Sequence, residues 1–513
     1  MLTQALLPIR YIPDSDTAMT SFAGLPLYMD LAMASGLCSK ITTHLQVKER
    51  GWTDLQIIMS LILLNLSGGT CIDDIDRLES DEGLRSLLLK IETYGMKRKA
   101  RRVHERRWRK QKERAFPSSS AIHRYLETYH SSDEEKKRLS GKAFIPANSS
   151  LLDSLVDINQ ELITSIQAHH PIKTATLDQD ATLCPTSKLS ALHCYKKFKA
   201  YQPFNTYWYE QGILLHSEFR DGNVNAGFEQ LRLLKLSLDR LPQSVESVSL
   251  RSDSAGYQEN LLRYCAEGES TRFGVIEFAI SAKVTAAYKA VVVELEETDW
   301  QPVYISDGHD GLIKTDQEWA EVCFVPGFAA RSKQGTYRYL AIRRPLAVQL
   351  ELGGVESPKQ QEFPFQTLKM ESTTYKITAL VTNSKQPGNA LIRWHRERCG
   401  KSEKVHSIQK SDLSGGQFPS DKFGANAAWW HIMILTHNLH CLMKQQCLPK
   451  ELRNKRFKSI RFHVIGVAGC LVSHARSLSI KLSGGRRTFE LFELIRRNIL
   501  ALVSVPSPPP QAA

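Results

Sequence analysis

Four acidic residues lie where a folded chain could gather them around a metal ion. Asp178 and Asp180 end the strand-like run TATLDQDAT (174–182), and alternation along a strand turns both side chains to one face. Asp253 follows a second strand-like run, SVSL, and Glu403 lies in GKSEKVHSIQK, which has the pattern of a helix. Acids at two strand ends and on one helix suggest a carboxylate cluster for a divalent cation.

Such a cluster has the ligands that phosphodiester chemistry requires. Cleavage and transfer need neutralised charge on the phosphoryl oxygens and an activated oxygen nucleophile, and two Mg²⁺ ions about 4 Å apart supply both. Mg²⁺ prefers carboxylates and water and takes few protein ligands, so three acids can hold two ions. Paired acids are also common in solvated turns, so this pattern alone does not establish a site.

The composition indicates a globular protein with a polyanionic partner. A chain of 513 residues is too long for one core, so two to four structural units are expected. Hydrophobic residues make up 42% and charged residues 24%, which excludes a disordered chain. The net charge of +13 points toward a polyanionic partner, with nucleic acid favoured over a membrane surface, but a basic enzyme with scattered lysines has the same net charge, so the distribution of charge must decide.

Neither a membrane span nor a secretory signal is expected. The longest apolar run, at 55–66, is about half of the ~20 residues that a span needs. The first residues, MLTQALLPIRYIP, lack a basic start followed by a long apolar stretch. The ten cysteines include no CxxC pair, so we expect reduced thiols in a cytoplasmic, nucleoid-associated protein.

The densest charge lies at 97–114, in KRKARRVHERRWRKQKER. Only Glu105 and Glu113 oppose eleven cations there: Lys97, Arg98, Lys99, Arg101, Arg102, Arg106, Arg107, Arg109, Lys110, Lys112 and Arg114. Such a run is either a solvated linker or a phosphate contact. Because cations packed this densely lose much of their repulsion beside phosphates, we favour DNA binding, with Arg101, Arg102, Arg106 and Arg107 as contacts. Trp108 either stacks on a base or anchors a helix.

The pattern changes near residue 170 from helices to alternating strands and helices. The predicted segments are a helical N-terminal DNA-binding domain (1–170), the first part of an α/β core (171–280), a mostly β insertion (281–385), the completion of the core (386–450), and a basic C-terminal region with a disordered tail (451–513). Active groups of α/β sheets gather at the carboxyl ends of strands, where Asp180 and Asp253 fall.

A zinc site is the competing metal interpretation. His437, His440, Cys441 and Cys447 could be drawn as its ligands, but they lie in an apolar helical run that includes Trp429. We therefore predict that these side chains, like Trp429 and Trp430, pack in a core.

The motifs LDQDAT, LRSDSAGY and GKSE, with a lysine seven residues after the glutamate, resemble the three catalytic motifs of bacterial insertion-sequence DDE transposases. The similarity is to the cut-and-paste group with a β-strand insertion before the final glutamate. FRDGN (219–223), RFGVIEFAI (272–280) and FPSDKFGANAAWW (418–430) also resemble that group, and the likeness covers most of 20–485.

The resemblance implies a ribonuclease-H-like fold whose acids bind two Mg²⁺ or Mn²⁺ ions. Asp180 matches the first acid, because the family has a threonine two residues later, here Thr182; Asp178 is its competitor. Asp253 matches the second acid. Glu403 matches the third, because Lys410 follows two helical turns later, and that lysine contacts DNA phosphate in the family.

The sequence departs from the family pattern just before Glu403. Cys399 stands where the family often has a phosphate-binding arginine, so Arg396 and Arg398 are the candidates to replace it. Glu397 is the alternative third acid, although it lacks the glycine and lysine spacing.

The resulting hypothesis is a transposase that acts on double-stranded DNA. The resemblance implies that it binds the terminal inverted repeats of its element, cleaves the ends by metal-assisted hydrolysis and joins the 3′ ends to target DNA, as at least a homodimer. The alternatives are a catalytically silent DNA-binding protein derived from a transposase and a ribonuclease-H-like nuclease.

Overall fold

The computed structural model of the chain describes residues 18–94, 96–108, 112–140, 142–307, 311–328, 337–346, 365–371, 373–474 and 477–503. At positions 399, 401, 402, 474 and 477 it describes the backbone alone. The chain forms two compact units. The first comprises Met1–His130, Ser149–Leu162 and Ser411–Ala513, and the second comprises Ser131–Asn148 and Ile163–Lys410. The predicted disordered tail lies outside the described residues, and the predicted functional segments stay predictions.

The chain before residue 170 is helical, as the spacing of its apolar residues predicts. After the short strand β1 (Met19–Thr20), the helices are α1 (Leu25–Ala34), α2 (Leu37–His44), α3 (Asp54–Ser67), α4 (Ile75–Ser80), α5 (Glu82–Thr93), α6 (Arg98–Arg106), α7 (Ser119–Glu127), α8 (Ser132–Arg138) and α9 (Ser150–His169). Across the described stretches no single helix is long and apolar enough to span a membrane, and one pair, α3 with Ile72–Ser80, meets the criteria only with a bend of 93°.

Helix α3 shows how local sequence sets the ends of an element. Thr53 accepts a hydrogen bond from the backbone N–H of Gln56, and the Gln56 side chain accepts one from the backbone N–H of Thr53. Gly68 ends the helix with a φ of 99°, a left-handed conformation that glycine adopts without steric cost. Both ends are therefore set by local sequence.

A mixed sheet follows in the second unit. Its first strands and helices are β2 (Thr174–Ala181), β3 (Cys184–Pro185), β4 (Ala200–Tyr201), β5 (Phe204–Trp208), β6 (Ile213–Glu218), α10 (Gln230–Asp239), β7 (Ser247–Ser252), α11 (Glu259–Ala266) and β8 (Glu277–Ala282). The spatial order is β6-β5-β2-β7-β8. Strand β5 runs antiparallel to both of its neighbours, β6 and β2, whereas β7 and β8 run parallel to β2. This order and these directions are those of the ribonuclease-H-like fold, so the predicted fold class is confirmed.

The β-rich insertion extends the same sheet. It contains α12 (Ala286–Val293), β9 (Gln301–Ser306), β10 (Leu312–Val322), β11 (Arg338–Pro345), β12 (Thr367–Met370) and β13 (Thr373–Thr382). Strand β13 pairs antiparallel with β8, and β11, β10 and β9 follow in that order. The insertion therefore extends the sheet beyond β8.

Helix α13 (Gly388–Ser407) packs on this extended sheet. Leu391 and Ile392 join a buried cluster whose other members come from β8, β9, β10, β11 and β13: Ala279, Val303, Trp319, Leu340, Ile342 and Leu380. Burial of its N-terminal turns thus fixes where the later residues of the helix lie. A π-helical turn, Ile408–Asp412, follows α13.

The C-terminal part of the first unit surrounds one apolar helix. Its elements are α14 (Phe423–Leu442), α15 (Lys450–Arg453), α16 (Phe457–Ile460), β14 (Gly469–His474), β15 (Ser477–Leu482) and α17 (Gly485–Val503). Strand β14 pairs antiparallel with β1 and β15. Trp429 and Trp430 on α14 are fully buried, which confirms their predicted place in a core.

Candidate active site

The two acids of strand β2 have different surroundings. Asp178 is 1% exposed, and its two carboxylate oxygens accept hydrogen bonds from Nε and Nη2 of Arg251 at 2.7 and 2.9 Å. Arg251 lies opposite Asp178 in the parallel pairing of β2 with β7, so the register itself creates the ion pair. The Asp178 carboxylate is consequently occupied by a guanidinium.

Arg251 also fastens helix α13 to the sheet. Its Nη1 donates to the backbone carbonyl of Trp394 at 2.6 Å and lies 3.4 Å from Oε2 of Glu397. Its guanidinium carbon lies 4.3 Å from the centroid of the Tyr209 ring. Sequence reasoning missed this arginine, although a charged residue within the strand-like run SVSLRSD signals a buried counter-charge.

A histidine makes a second link between α13 and β7. Nε2 of His395 lies 3.2 Å from the carbonyl oxygen of Ser252, the last residue of β7. Burial lowers the pKa of His395 to about 3, and the charge of Arg398 adds to the effect. His395 is therefore neutral at pH 7, with its Nε2–H donating to the carbonyl.

Asp180 and Asp253 face each other across the two parallel strands. Gln179 pairs with Ser252, so the next residues, Asp180 and Asp253, lie side by side on strands about 4.8 Å apart. Burial, together with the negative charge of Asp253, raises the pKa of Asp180 to about 6. Asp253 accepts a hydrogen bond from the backbone N–H of Ala255 at 3.0 Å, which begins a 3₁₀ turn and holds its carboxylate at the strand end.

Arg398 is a positive group whose charge acts on Asp180. It is 7% exposed, and its charge opposes the rise that burial causes in the pKa of both Asp178 and Asp180. In the part of the chain that the structure describes, its Nε is buried without a hydrogen-bond partner. The residue predicted as a phosphate contact thus lies beside the acids, inside the protein.

Glu403 does not join the two strand-end acids in this conformation. It lies on α13 with an exposed side chain. Glu403 follows Arg398 by five residues, so the two side chains point about 140° apart around the helix. The described residues contain no group of three metal-ligating side chains. The structure therefore brings two of the three predicted acids together and leaves the third apart.

The Asp180–Asp253 pair fits a hard divalent cation. Both groups offer carboxylate oxygens, and Mg²⁺ binds through one or two carboxylates together with water and phosphate oxygens. Asp180 forms no ion pair within the described stretches, in contrast to Asp178. A cation between the two carboxylates would neutralise the repulsion that raises the pKa of Asp180.

The other predicted phosphate contacts near the acids make internal hydrogen bonds. Arg396 donates from Nη2 to Oε1 of Gln317 on β10 at 2.5 Å. Lys410 lies in the π-helical turn after α13, and its Nζ is 3.4 Å from the carbonyl oxygen of Leu183. The wider turn changes the rotation between Glu403 and Lys410 from that of the regular helix assumed in the prediction. Their DNA contacts stay predictions.

The basic segment 97–114 divides into exposed and internally bound cations. Arg101, Arg102 and Arg106 are exposed on α6. Arg107 donates from its guanidinium to the carbonyls of Gly51 and Lys48. Lys112 forms an ion pair with Glu92 and Arg114 one with Asp76, whereas Arg109 and Lys110 lie outside the described residues.

Trp108 is a structural anchor. Its ring meets that of Trp52 edge-on, with 5.1 Å between the centroids, and Nζ of Lys112 lies over both rings. Of the two roles that the sequence left open, the structure shows the one in which the tryptophan holds the helix.

The histidines of the zinc alternative lie in the core of the first unit. His437 and His440 are each 3% exposed on α14. Nδ1 of His440 is 2.8 Å from the hydroxyl oxygen of Tyr28, and its ring lies edge-on to Phe457. Cys447 is fully buried. These contacts agree with the predicted packing role.

Comparison with known proteins identifies one family. The profile described as transposase DDE domain group 1 matches residues 15–325 and 362–504. No curated protein gives a match. A cryo-EM structure of a piggyBac transposase synaptic complex with hairpin DNA is similar, with 9% sequence identity, coverage of 96% of this chain and 86% of that chain, and a TM-score of 0.40.

Proposed function

Because this chain belongs to the transposase DDE domain group 1 family, we propose that it cuts DNA at the ends of a mobile element and joins the freed 3′ ends to target DNA. The observation that supports the proposal most strongly is the Asp180–Asp253 pair at the carboxyl edge of two parallel strands. Of the two acids on β2, Asp180 is the metal ligand, since Arg251 occupies the carboxylate of Asp178.

The proposed mechanism assigns separate tasks to the residues around the pair. Asp180 and Asp253 would hold the cations with their carboxylates, and Glu403 would supply the third carboxylate. Bound Mg²⁺ or Mn²⁺, as two ions, would neutralise phosphoryl charge and activate the attacking oxygen. Arg251 keeps α13 at a fixed position on the sheet by binding the carbonyl of Trp394.

Glu403 reaches the site through a change in the last turns of α13. The first turns of the helix are fixed by Leu391 and Ile392, whereas Glu403 is exposed and followed by the π-helical turn Ile408–Asp412. Such turns occur often at functional sites because they offer an alternative hydrogen-bond register. In the proposal, cation and DNA binding favour the arrangement with Glu403 at the metal.

DNA recognition is assigned to the N-terminal helices. The exposed residues Arg101, Arg102 and Arg106 on α6 offer a positive surface for the phosphates of the element ends. Two ends must be held together for transposition, so the active species is proposed to be at least a homodimer.

A catalytically silent DNA-binding protein is the second candidate, and one observation favours it. Glu403 lies apart from Asp180 and Asp253 in the described structure. A protein that kept this arrangement when bound to DNA would bind the element ends without cutting them.

A cleavage assay on DNA that carries the element ends separates the two candidates. With Mg²⁺, the wild-type protein should cut, and the Asp180→Ala, Asp253→Ala and Glu403→Ala variants should lose cleavage while retaining end binding. Cleavage by all three variants would refute the assigned site. Tight binding by the wild type without cleavage in Mg²⁺ or Mn²⁺ would establish the silent protein.

A further inference from the structure

A short hairpin begins directly after the acids of strand β2. Strands β3 and β4 pair antiparallel, and an isolated bridge joins His193 to Lys199. We call residues 184–201 the basic hairpin. Between Asp180 and Glu210 the sequence has no acidic residue, and it has four lysines: Lys188, Lys196, Lys197 and Lys199.

The base of the basic hairpin is fixed by buried polar contacts. Arg138 and Asp221, both fully buried, form an ion pair. Arg138 donates from Nη1 to the carbonyl of Ser190 at 3.0 Å, and Asp221 accepts from the backbone N–H of Leu192 at 2.9 Å. A Cβ at Gly222 would lie 2.4 Å from the carbonyl oxygen of Ala200, so only glycine permits this close packing. These contacts fix the base of the hairpin in one conformation.

The tip presents an aromatic ring and cations to solvent. Tyr195 is 74% exposed, and Lys196 and Lys197 are exposed beside it. Lys197 has a φ of 67°, and its backbone N–H donates to the carbonyl of Cys194 at 2.9 Å, which closes the turn. Nζ of Lys196 lies 5.7 Å from the centroid of the Tyr195 ring. Lys196 and Lys197 form no ion pair among the residues that the structure describes. A large exposed ring next to such cations suits a polyanion with flat aromatic groups.

An open hollow lies on the hairpin as well. Its volume is about 490 Å³, and it is lined by Pro185, Thr186, Ser187, Phe198 and Lys199. This lining suits a nucleotide. The hydroxyls of Thr186 and Ser187 can bind a base edge, Lys199 a phosphate, and the ring of Phe198 the face of a base.

We propose that the basic hairpin binds unpaired nucleotides of the DNA substrate, with Tyr195 stacked on a base and Lys196 and Lys197 on the phosphates. The hairpin starts four residues after Asp180, so its base lies at the same end of β2 as the proposed cation site. An exposed ring stacks on a base whose face is free, which a paired base inside a duplex does not offer. The inference rests on the proposed function, in which DNA is the substrate.

Binding without metal tests the hairpin independently of cleavage. Fluorescence anisotropy of the full-length protein would use a duplex with a single-stranded overhang and a blunt duplex of the same sequence. The Tyr195→Ala variant should bind the overhang duplex about 10-fold more weakly, which corresponds to one lost base stack, and the blunt duplex as tightly as the wild type does. Tyr195→Phe, which keeps the ring, should bind like the wild type.

The lysines are tested through salt dependence. For the Lys196→Gln, Lys197→Gln double variant, the slope of log affinity against log salt on the overhang duplex should fall by about 1 to 2. Leu189→Ala is the control, since Leu189 is 81% exposed on the same hairpin and has neither ring nor charge.

Equal losses on overhang and blunt duplexes, or none in any variant, would overturn the inference. A blunt-duplex loss alone would assign the hairpin to paired DNA instead. Because the readout is binding without metal, these results stay distinguishable from a failure of the cleavage assay.

Discussion

At the scale of residues, the two acids of β2 illustrate how position decides chemistry. Asp178 and Asp180 lie two residues apart on one strand face, yet one is bound by Arg251 and the other faces Asp253. The motif spacing predicted that they differ, and the buried arginine supplies the physical reason.

The variant Asp178→Asn should lose stability. It removes the carboxylate that binds the guanidinium of Arg251, which is 0% exposed, and leaves the half-exposed Glu397, at 3.4 Å, as the remaining acidic partner among the described residues. Loss of one partner of a buried pair costs about 3 kcal/mol. Urea unfolding of the metal-free protein would measure the loss. Asp180→Asn is the matched control, because it removes no ion pair and should show no comparable loss. Equal destabilisation in the two variants would contradict the distinction.

His437 gives a prediction on pH. Burial lowers its pKa to about 4, whereas an unfolded chain has a histidine pKa near 6.5. As pH falls from about 6.5 to 4, the unfolded state takes up a proton that the folded state does not, so the free energy of unfolding falls by about 1.4 kcal/mol per pH unit.

The variant His437→Leu removes this dependence. Neither ring nitrogen of His437 has a hydrogen-bond partner among the described residues, so leucine loses no hydrogen bond there. Between pH 7 and pH 5, the free energy of unfolding of the variant should rise by about 2 kcal/mol relative to that of the wild type. Chemical denaturation at the two pH values measures the difference. His463→Gln, at an exposed histidine, should keep the wild-type slope. An unchanged slope in His437→Leu would show that another group controls acid sensitivity.

At the scale of elements, α13 connects the sheet to the third acid. Its first turns are buried on strands of the insertion, and Arg251 and His395 attach its middle to β7. The helical pattern of GKSEKVHSIQK predicted the last turns of this helix. The sequence pattern could not show that Arg398 turns inward or that Glu403 points away, because those directions depend on packing against strands distant in the chain.

Two glycines of α13 offer a matched pair of variants. A Cβ at Gly388 would lie 2.2 Å from the ring of Trp319 on β10, whereas a Cβ at Gly400 would meet nothing within 4 Å. Gly388→Ala should therefore destabilise the protein by about 1 to 3 kcal/mol, and Gly400→Ala should stabilise it by up to about 1 kcal/mol. Thermal unfolding of both variants tests this, and a destabilised Gly400→Ala would contradict it.

At the scale of the whole molecule, short-range patterns predicted more than long-range pairing. The helices before residue 170 and the change to strands and helices after it follow the sequence pattern, and the local sequence at Thr53 and Gly68 sets the ends of α3. The sequence did not show that β13 pairs with β8 and extends the core sheet, since its partner strand lies about a hundred residues away. The same holds for the site. The positions of the motif acids could be predicted from the sequence, whereas the Arg251–Asp178 ion pair could be found only once the parallel register of β2 and β7 was known.

The most direct test of the central claim is Mn²⁺ binding by the full-length protein, followed by electron paramagnetic resonance. If Asp180 and Asp253 hold the catalytic cation, Asp180→Asn and Asp253→Asn should each weaken Mn²⁺ binding at least about 10-fold. Glu397→Gln should bind like the wild type, because Glu397 faces Arg251 and Tyr209. Wild-type affinity in the Asp180→Asn and Asp253→Asn variants would contradict the account.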